Sequence, residues 1–96
     1  MQIKISHRAK RDLARILAYL QPRSPMAASR LSDALESAIL GLGEFPRMGR
    51  ARTEFGADLK SLVAENYVII YRIDTLAIVI LRVLDGRMDI ETELSR

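Results

Sequence analysis

The 96-residue sequence contains no cysteine, no tryptophan and only one histidine, and aromatic residues are few. Without cysteine there can be no disulfide, thiolate metal ligand or cysteine nucleophile, and the composition fits a reducing cytoplasm. No apolar run approaches the ~18 residues that a membrane span requires. Charges also interrupt the N-terminal region, where a signal peptide would be apolar. We therefore expect one cytoplasmic domain over residues 1–96, with no metal, cofactor or membrane contact.

Basic residues are concentrated in the first half of the chain. Residues 1–52 contain ten Lys and Arg against four Asp and Glu, a net charge of +6. Residues 53–96 contain five basic and eight acidic residues, a net charge of −3. A basic half indicates an acidic partner, either nucleic acid or protein, although a solvated basic helix face would give the same composition.

Apolar periodicity predicts a short strand followed by two helices. The alternating segment Gln2–Ser6 is typical of a strand. An apolar stripe at helical spacing covers residues 9–20, and Pro22 is expected to end this helix. Ser24 can cap a second helix, whose apolar stripe covers residues 28–42. Two such helices joined by a short break predict an antiparallel hairpin.

The second half of the chain is predicted to form three strands after an irregular loop at residues 47–58. The strands are expected at Leu59–Val63, Tyr67–Ile73 and Leu76–Leu84. The tail, residues 88–96, can add a short C-terminal helix. The predicted order is β-α-α-β-β-β, an α+β fold in which a small antiparallel sheet, including the N-terminal strand, carries the helical hairpin on one face.

The last two predicted strands are apolar on both alternations, whereas an antiparallel sheet with one wet face alternates more cleanly. Two helices cover only one face of a sheet. We therefore expect apolar surface on the other face, which would mark a partner site. The alternative is that loops and the tail cover this face.

The segment RVLDGRMD, Arg82 to Asp89, places an arginine inside the apolar strand. A guanidinium keeps its charge and costs free energy to bury unpaired. We expect Arg82 to lie on the sheet face opposite the helices, where a partner can reach it. The alternative is an internal ion pair with Asp85, Asp89 or Glu65.

Four segments, in order, resemble toxins of the ParE/RelE superfamily of bacterial type II toxin–antitoxin systems. They are AKRDLARILAYL, AASRLSDALESAILGLGEFPRMGRAR, LKSLVAENYVIIYRI and RVLDGRMD. Their spacing is similar to that of the ParE branch. The resemblance implies a sheet with a helical hairpin and a cytoplasmic toxin neutralised by a ParD-like antitoxin in a hetero-oligomeric complex. It assigns DNA contact to the antitoxin. ParE-like members poison DNA gyrase, and RelE-like members cut messenger RNA in the ribosome.

Cleaving RNA without a metal needs a general base, a general acid and stabilisation of the phosphorane charge. RelE-like nucleases use basic residues with a tyrosine or histidine near the C-terminus. This chain has neither residue after Tyr71, and its one histidine, His7, is distant in sequence. Asp85 stands where relatives often have histidine, and an ionised carboxylate repels phosphate. We therefore predict a gyrase inhibitor that binds its target and is not an enzyme.

Two alternatives stay open: a RelE-like ribosome-dependent endoribonuclease with Lys60 as its base, and a non-toxic module that binds nucleic acid or protein. In all three cases the expected binding groups are basic, because guanidinium groups form forked hydrogen bonds with carboxylates and phosphates. We assign target or antitoxin binding to Arg50, Arg52, Lys60, Arg72, Arg82 and Arg87. Asp85 is expected to pair with Arg87 or Arg82, and Tyr67 and Tyr71 to lie in the sheet core.

Overall fold

The computed structural model describes all of residues 1–96. Its elements are β1 (Gln2–Ile5), α1 (His7–Arg23), α2 (Pro25–Glu44), β2 (Arg50–Ala51), β3 (Lys60–Ala64), β4 (Tyr67–Ile73), β5 (Ala77–Asp85) and α3 (Ile90–Leu94). The predicted α+β fold is confirmed, including the short C-terminal helix. One strand, β2, lies inside the segment that was predicted to be a loop. None of the three helices combines the length and apolar character needed to cross a membrane.

Serine side chains begin both helices of the hairpin. The Ser6 hydroxyl accepts a hydrogen bond from the Ala9 N–H, and the Ser24 hydroxyl accepts one from the Ala27 N–H. Each bond satisfies one of the N–H groups that lack a partner in the first turn of a helix. The prediction that Pro22 ends the first helix is wrong by one residue, since α1 continues to Arg23.

The five strands form one sheet in the order β1-β5-β4-β3-β2. All neighbours are antiparallel except β1 and β5, which run parallel with Ile3 opposite Ile78 and Ile5 opposite Ile80. The N-terminal strand therefore lies beside the last strand of the chain, and the sheet is mixed. The α1–α2 hairpin covers one face, where Leu35, Leu42 and the fully buried Tyr71 belong to the same apolar cluster.

The opposite face of the sheet is not the open apolar surface that the sequence predicted. At the centre of β4 and β5, Val68, Ile70 and Leu84 are all buried. The tail reaches this side of the sheet, because Nη1 of Arg82 donates to the carbonyl of Glu93 in α3, at 3.4 Å. The expected open apolar face is therefore wrong at these three residues, and the tail lies near Leu84 at the β5 edge.

A carboxylate from α1 replaces the missing strand partner at the outer edge of β5. The pairing of β1 with β5 ends at Ile80, and beyond it the backbone of β5 would have no neighbour on that side, although β4 still pairs with its other side. Instead, Oδ2 of Asp12 accepts from the Val83 N–H at 3.0 Å, and the Ser6 hydroxyl donates to the Leu81 carbonyl at 2.9 Å. The first turns of α1 therefore close an edge that would otherwise be open to pairing.

The same carboxylate binds Arg82, and the prediction that Arg82 is open to a partner is wrong. Its Nε donates to Oδ2 of Asp12 at 2.8 Å, and its Nη2 donates to Oδ1 at 3.0 Å. Both residues are buried, with 2% of Asp12 and 7% of Arg82 exposed. Hydrogen bonding to Asp12 raises the pKa of the guanidinium further. The alternative, an internal ion pair, is correct, but the partner is Asp12 and not Asp85, Asp89 or Glu65.

Tyr71 in β4 fixes the loop that leads into β2. Its hydroxyl donates to the Pro46 carbonyl and accepts from the Gly49 N–H, both at 2.9 Å. Burial raises the pKa of the phenol, although the bond from Gly49 partly opposes this. A Cβ on Gly49 would lie 2.3 Å from the tyrosine oxygen, so only glycine fits at this position. The Tyr71 hydroxyl therefore fixes the loop at Gly49, the residue before Arg50 of β2.

Replacing Asp12 by alanine should lower the free energy of unfolding by about 3–5 kcal/mol, because Arg82 would remain buried without a counter-charge. Asp33→Ala provides a matched control, since Asp33 is an exposed aspartate within α2 and forms no ion pair. Urea denaturation followed by circular dichroism measures both variants. Equal stability of the two would contradict the structural role given to Asp12, and Asp12→Leu/Arg82→Leu should recover part of the loss.

Replacing Gly49 by alanine should destabilise the protein by about 2 kcal/mol or more, because the new methyl group overlaps the Tyr71 hydroxyl and removes its hydrogen bond. Gly41→Ala is the control. It lies inside α2, where its methyl group would meet only the end of Met48 at 3.6 Å, and alanine favours helix by about 1 kcal/mol. Thermal melts should therefore move in opposite directions, and a Gly49→Ala melt like that of wild type would refute the packing described.

Candidate functional site

The register of the sheet places basic residues from distant segments side by side on the face opposite the hairpin. Residues directly opposite each other in neighbouring strands share a face. Val79 in β5 is opposite Lys4 in β1 on one side and Arg72 in β4 on the other. One row across three strands therefore presents a lysine, a valine and an arginine.

The next row crosses four strands. Arg50 in β2 is opposite Ser61, Ser61 is opposite Ile70, and Ile70 is opposite Arg82. Arg50 is exposed at the outer end of this row, whereas the guanidinium of Arg82 is turned to Asp12 at the other end. Only the β2 end of the row is therefore open to a partner.

Arg52 follows β2 and reaches the same face. Its Nη1 donates to the Ser61 hydroxyl at 3.1 Å, and its Nε donates to Glu54 at 2.8 Å. Its guanidinium also lies 4.1 Å from the centre of the Phe55 ring, and the ring face attracts a cation at this distance. The bond from Arg52 lowers the pKa of the Glu54 carboxyl. These contacts hold the Arg52 side chain in one position.

We use the name basic face for the surface formed by Lys4, Arg50, Arg52 and Arg72. The carboxylates in contact with it are Glu54 and Asp74, and the latter is 3.7 Å from Arg72 with both side chains partly exposed. Four cations against two carboxylates leave a positive surface. Such a surface attracts carboxylates or phosphates of a partner.

Three of the residues expected in the site are not part of the basic face: Arg82, which binds Asp12, and Lys60 and Arg87. Lys60 is half-buried and opposite Tyr71, and therefore projects from the hairpin side of the sheet. Arg87 follows the far end of β5, where its Nη2 binds Asp85 at 2.7 Å and its Nε binds it at 3.1 Å. The bond from Arg87 lowers the pKa of Asp85 and raises that of Arg87. The predicted pairing of Asp85 with Arg87 is confirmed.

The structure thus brings Arg50, Arg52 and Arg72 together and adds Lys4, which sequence reasoning missed. The alternation of the first strand places Lys4 on the side away from Ile3 and Ile5, so the sequence alone indicates which face of the sheet Lys4 occupies. Its position beside Arg72 depends on the parallel pairing of β1 with β5, and nothing in the local sequence indicates that pairing. Whether these residues bind a target or an antitoxin stays a prediction.

The groups able to exchange protons lie away from the basic face or are engaged. The Tyr71 hydroxyl is bound within the protein, and His7 is exposed at the first turn of α1. Asp85 is held by Arg87. No group of three or more His, Cys, Asp or Glu side chains is placed to hold a metal ion. The chemistry that the basic face offers is therefore the binding of anionic groups.

A second candidate surface is an apolar groove on the hairpin side, between α1, α2 and β1. It is lined by Ile3, Ile5, Leu13, Leu17, Ser32, Leu35, Glu36, Ile39 and Leu40. Leu40 is 60% exposed at its rim. An exposed apolar groove of this kind is typical of a site that another protein covers.

Comparison with known proteins supports the resemblance seen in the sequence. Residues 3–90 match the family model described as the ParE toxin of the type II toxin–antitoxin system, parDE. Toxin ParE3 of Caulobacter vibrioides is 35% identical over 69 residues, which cover 72% of this chain and 69% of that protein. Toxin RelE1 of the same bacterium is 34% identical over 85 residues, covering 88% and 91%.

The fold is also similar to that of a solved structure, described as a chromosomal ParDE toxin–antitoxin system from P. aeruginosa. The TM-score is 0.76 with 20% sequence identity, and the match covers 88% of this chain and 95% of the other. At that identity the likeness concerns the fold alone. The match over residues 3–90 and the two similar toxins establish that this chain belongs to the ParE toxin family of type II toxin–antitoxin systems.

Proposed function

We propose that this chain is a cytoplasmic toxin that inhibits DNA gyrase by binding it and is neutralised by a ParD-like antitoxin in a hetero-oligomeric complex. Membership of the ParE family supports the system. The observation that carries the choice of a binding mechanism is the commitment of Tyr71 and Asp85 to partners within the chain. Positioned acids and bases contribute about 10²–10⁴-fold each to such reactions, and neither Tyr71 nor Asp85 is free to act as one.

The composition of the basic face suits a protein target. Arginine is enriched in the cores of protein interfaces, together with aromatic residues. Arg52 lies against the Phe55 ring, and Val79 lies between Lys4 and Arg72. A target with exposed carboxylates would form forked hydrogen bonds with the arginines and cover the apolar groups between them.

A RelE-like endoribonuclease is the second candidate, and one observation favours it. Toxin RelE1 matches a larger share of this chain than Toxin ParE3 does, 88% against 72%. Lys60 would be the candidate base, and it shares a surface groove with Arg47 and Asp58. The sheet separates this groove from the basic face, so a bound RNA could not contact both at the same point.

The purified chain should inhibit DNA supercoiling by gyrase at micromolar concentration. Arg50→Gln/Arg72→Gln should raise the toxin concentration needed for half-inhibition by about tenfold or more. The reason is that truncating an arginine at the centre of an interface costs about 2 kcal/mol of binding free energy. Lys10→Gln/Arg30→Gln is the control with the same change in net charge. Its residues are exposed on α1 and α2, outside the basic face, and it should inhibit like wild type.

Unchanged supercoiling with wild-type chain that still arrests growth would remove the gyrase proposal. Primer extension on translated messages then tests the second candidate. New cleavage ends on induction, lost in Lys60→Gln, would identify an endoribonuclease. Parallel loss of inhibition in both double variants would show that net charge, and not the basic face, determines binding.

The apolar groove is the surface that we assign to the antitoxin. The partner expected there is a small protein with an acidic tail, encoded in the adjoining reading frame. Its apolar residues would cover Leu13, Leu17 and Leu40. Burial of apolar surface would supply most of the affinity.

Leu40→Glu should reduce recovery of the co-expressed antitoxin by about tenfold or more, because a charge at the groove rim would be desolvated on binding. Met26→Glu is the control, since Met26 is 81% exposed at the start of α2 and lies outside the groove. Affinity purification of tagged chain gives the yield of antitoxin for each variant. Equal recovery from both variants would place the antitoxin on another surface.

A further inference from the structure

The exposed side of α1 has a line of arginines that the proposed function does not use. Arg8, Arg11, Arg15 and Arg23 are all exposed, and Tyr19 is exposed between them. At about 100° per residue, these five positions fall within roughly 120° around the helix axis. From Arg8 to Arg23 they extend over about 22 Å. We call this line the arginine stripe.

The one acidic residue on this side of α1 is already neutralised. Asp12 is buried, and both of its oxygens bind Arg82. Oδ1 also accepts a hydrogen bond from Arg15 at 3.1 Å. Because the positive charge of Arg82 already neutralises the carboxylate, the group of three side chains has a net charge of one positive unit. The ion pair that closes the β5 edge therefore leaves the arginine stripe with a net positive charge.

The remaining arginines of the stripe have no carboxylate side chain as a partner. Arg11 makes no hydrogen bond or ion pair, and Nη1 of Arg8 donates only to the main-chain oxygen of Arg96, at 3.4 Å. Arg23 lies 3.8 Å from the centre of the Tyr19 ring and donates to the Tyr19 carbonyl. In the groove beside the stripe, Asp85 and Glu93 are paired with Arg87 and Arg96.

We propose that the arginine stripe binds the sugar–phosphate backbone of duplex DNA without reading its sequence. Duplex DNA is a rigid rod with one negative charge per ~1.7 Å, which matches a straight row of cations on a helix. A protein partner would find little apolar surface to bury here, because the stripe has one aromatic side chain and no aliphatic one. The resemblance assigns DNA contact to the antitoxin, whereas this stripe gives the toxin a contact of its own, whatever its target.

Fluorescence anisotropy of the purified 96-residue chain with a labelled duplex of about 20 base pairs tests the proposal. Four phosphate contacts predict a slope of about −3.6 for log K against log salt, or about 100-fold weaker binding at 200 mM than at 50 mM salt. Arg8→Gln/Arg11→Gln/Arg23→Gln should reduce the slope to about −1. Lys10→Gln/Arg30→Gln/Arg47→Gln removes the same charge from exposed positions outside both the stripe and the basic face, and should keep the wild-type slope.

The proposal would be overturned by no binding to the duplex at 50 mM salt, by an equal loss of slope in both triple variants, or by a loss confined to the control variant. Tighter binding to the single strand than to the duplex would also overturn it. If the stripe variant melts below wild type, Arg11→Glu replaces it, because that side chain makes no hydrogen bond or ion pair. The anisotropy assay contains no gyrase, so its result does not depend on the gyrase proposal. A chain that fails to inhibit supercoiling can still be tested for binding to the duplex.

Discussion

The contact between Asp12 and the β5 backbone connects the two halves of this fold. One carboxylate, buried under the start of the helical hairpin, satisfies the Val83 N–H at the sheet edge and the guanidinium of Arg82. A buried charge is costly unless hydrogen bonds and a counter-charge surround it, and here each ion supplies both to the other. The position of α1 over the sheet edge, the covering of that edge and the charge left on the outer side of the helix all depend on this contact.

A single chain thus presents three surfaces of different chemistry. The basic face is built by the sheet, where strand register brings Lys4 and Arg72 to either side of Val79. The apolar groove is built by the hairpin and β1, and the arginine stripe by the outside of α1. Because the surfaces face different directions, a target, an antitoxin and a polyanion would not compete for the same side chains. The family assignment concerns the toxin as a whole, whereas these surfaces are properties of this chain.

Local patterns in the sequence predicted the hairpin and β4, since an apolar stripe, a serine cap and a β-branched run are each short-range signals. They could not predict that β1 lies beside β5, because alternation shows which face a residue occupies and not which strand is its neighbour. The same limit applied to Arg82. Its burial was expected to be costly, but its partner is 70 positions away. Asp12 borders the apolar stripe of α1, about 40° around the helix from Ile16, and a charged residue at such a border was the available signal.

The parallel pairing of the first strand with the last has a consequence for the order of events during synthesis. When β1 and α1 leave the ribosome, neither the edge that β1 joins nor the arginine that balances Asp12 has yet been made. Native contacts across such a separation form late, because the chain must first lose the entropy of a large loop. The sheet therefore remains incomplete until β5 has emerged, and the row of residues that spans β1, β5 and β4 does not exist before then.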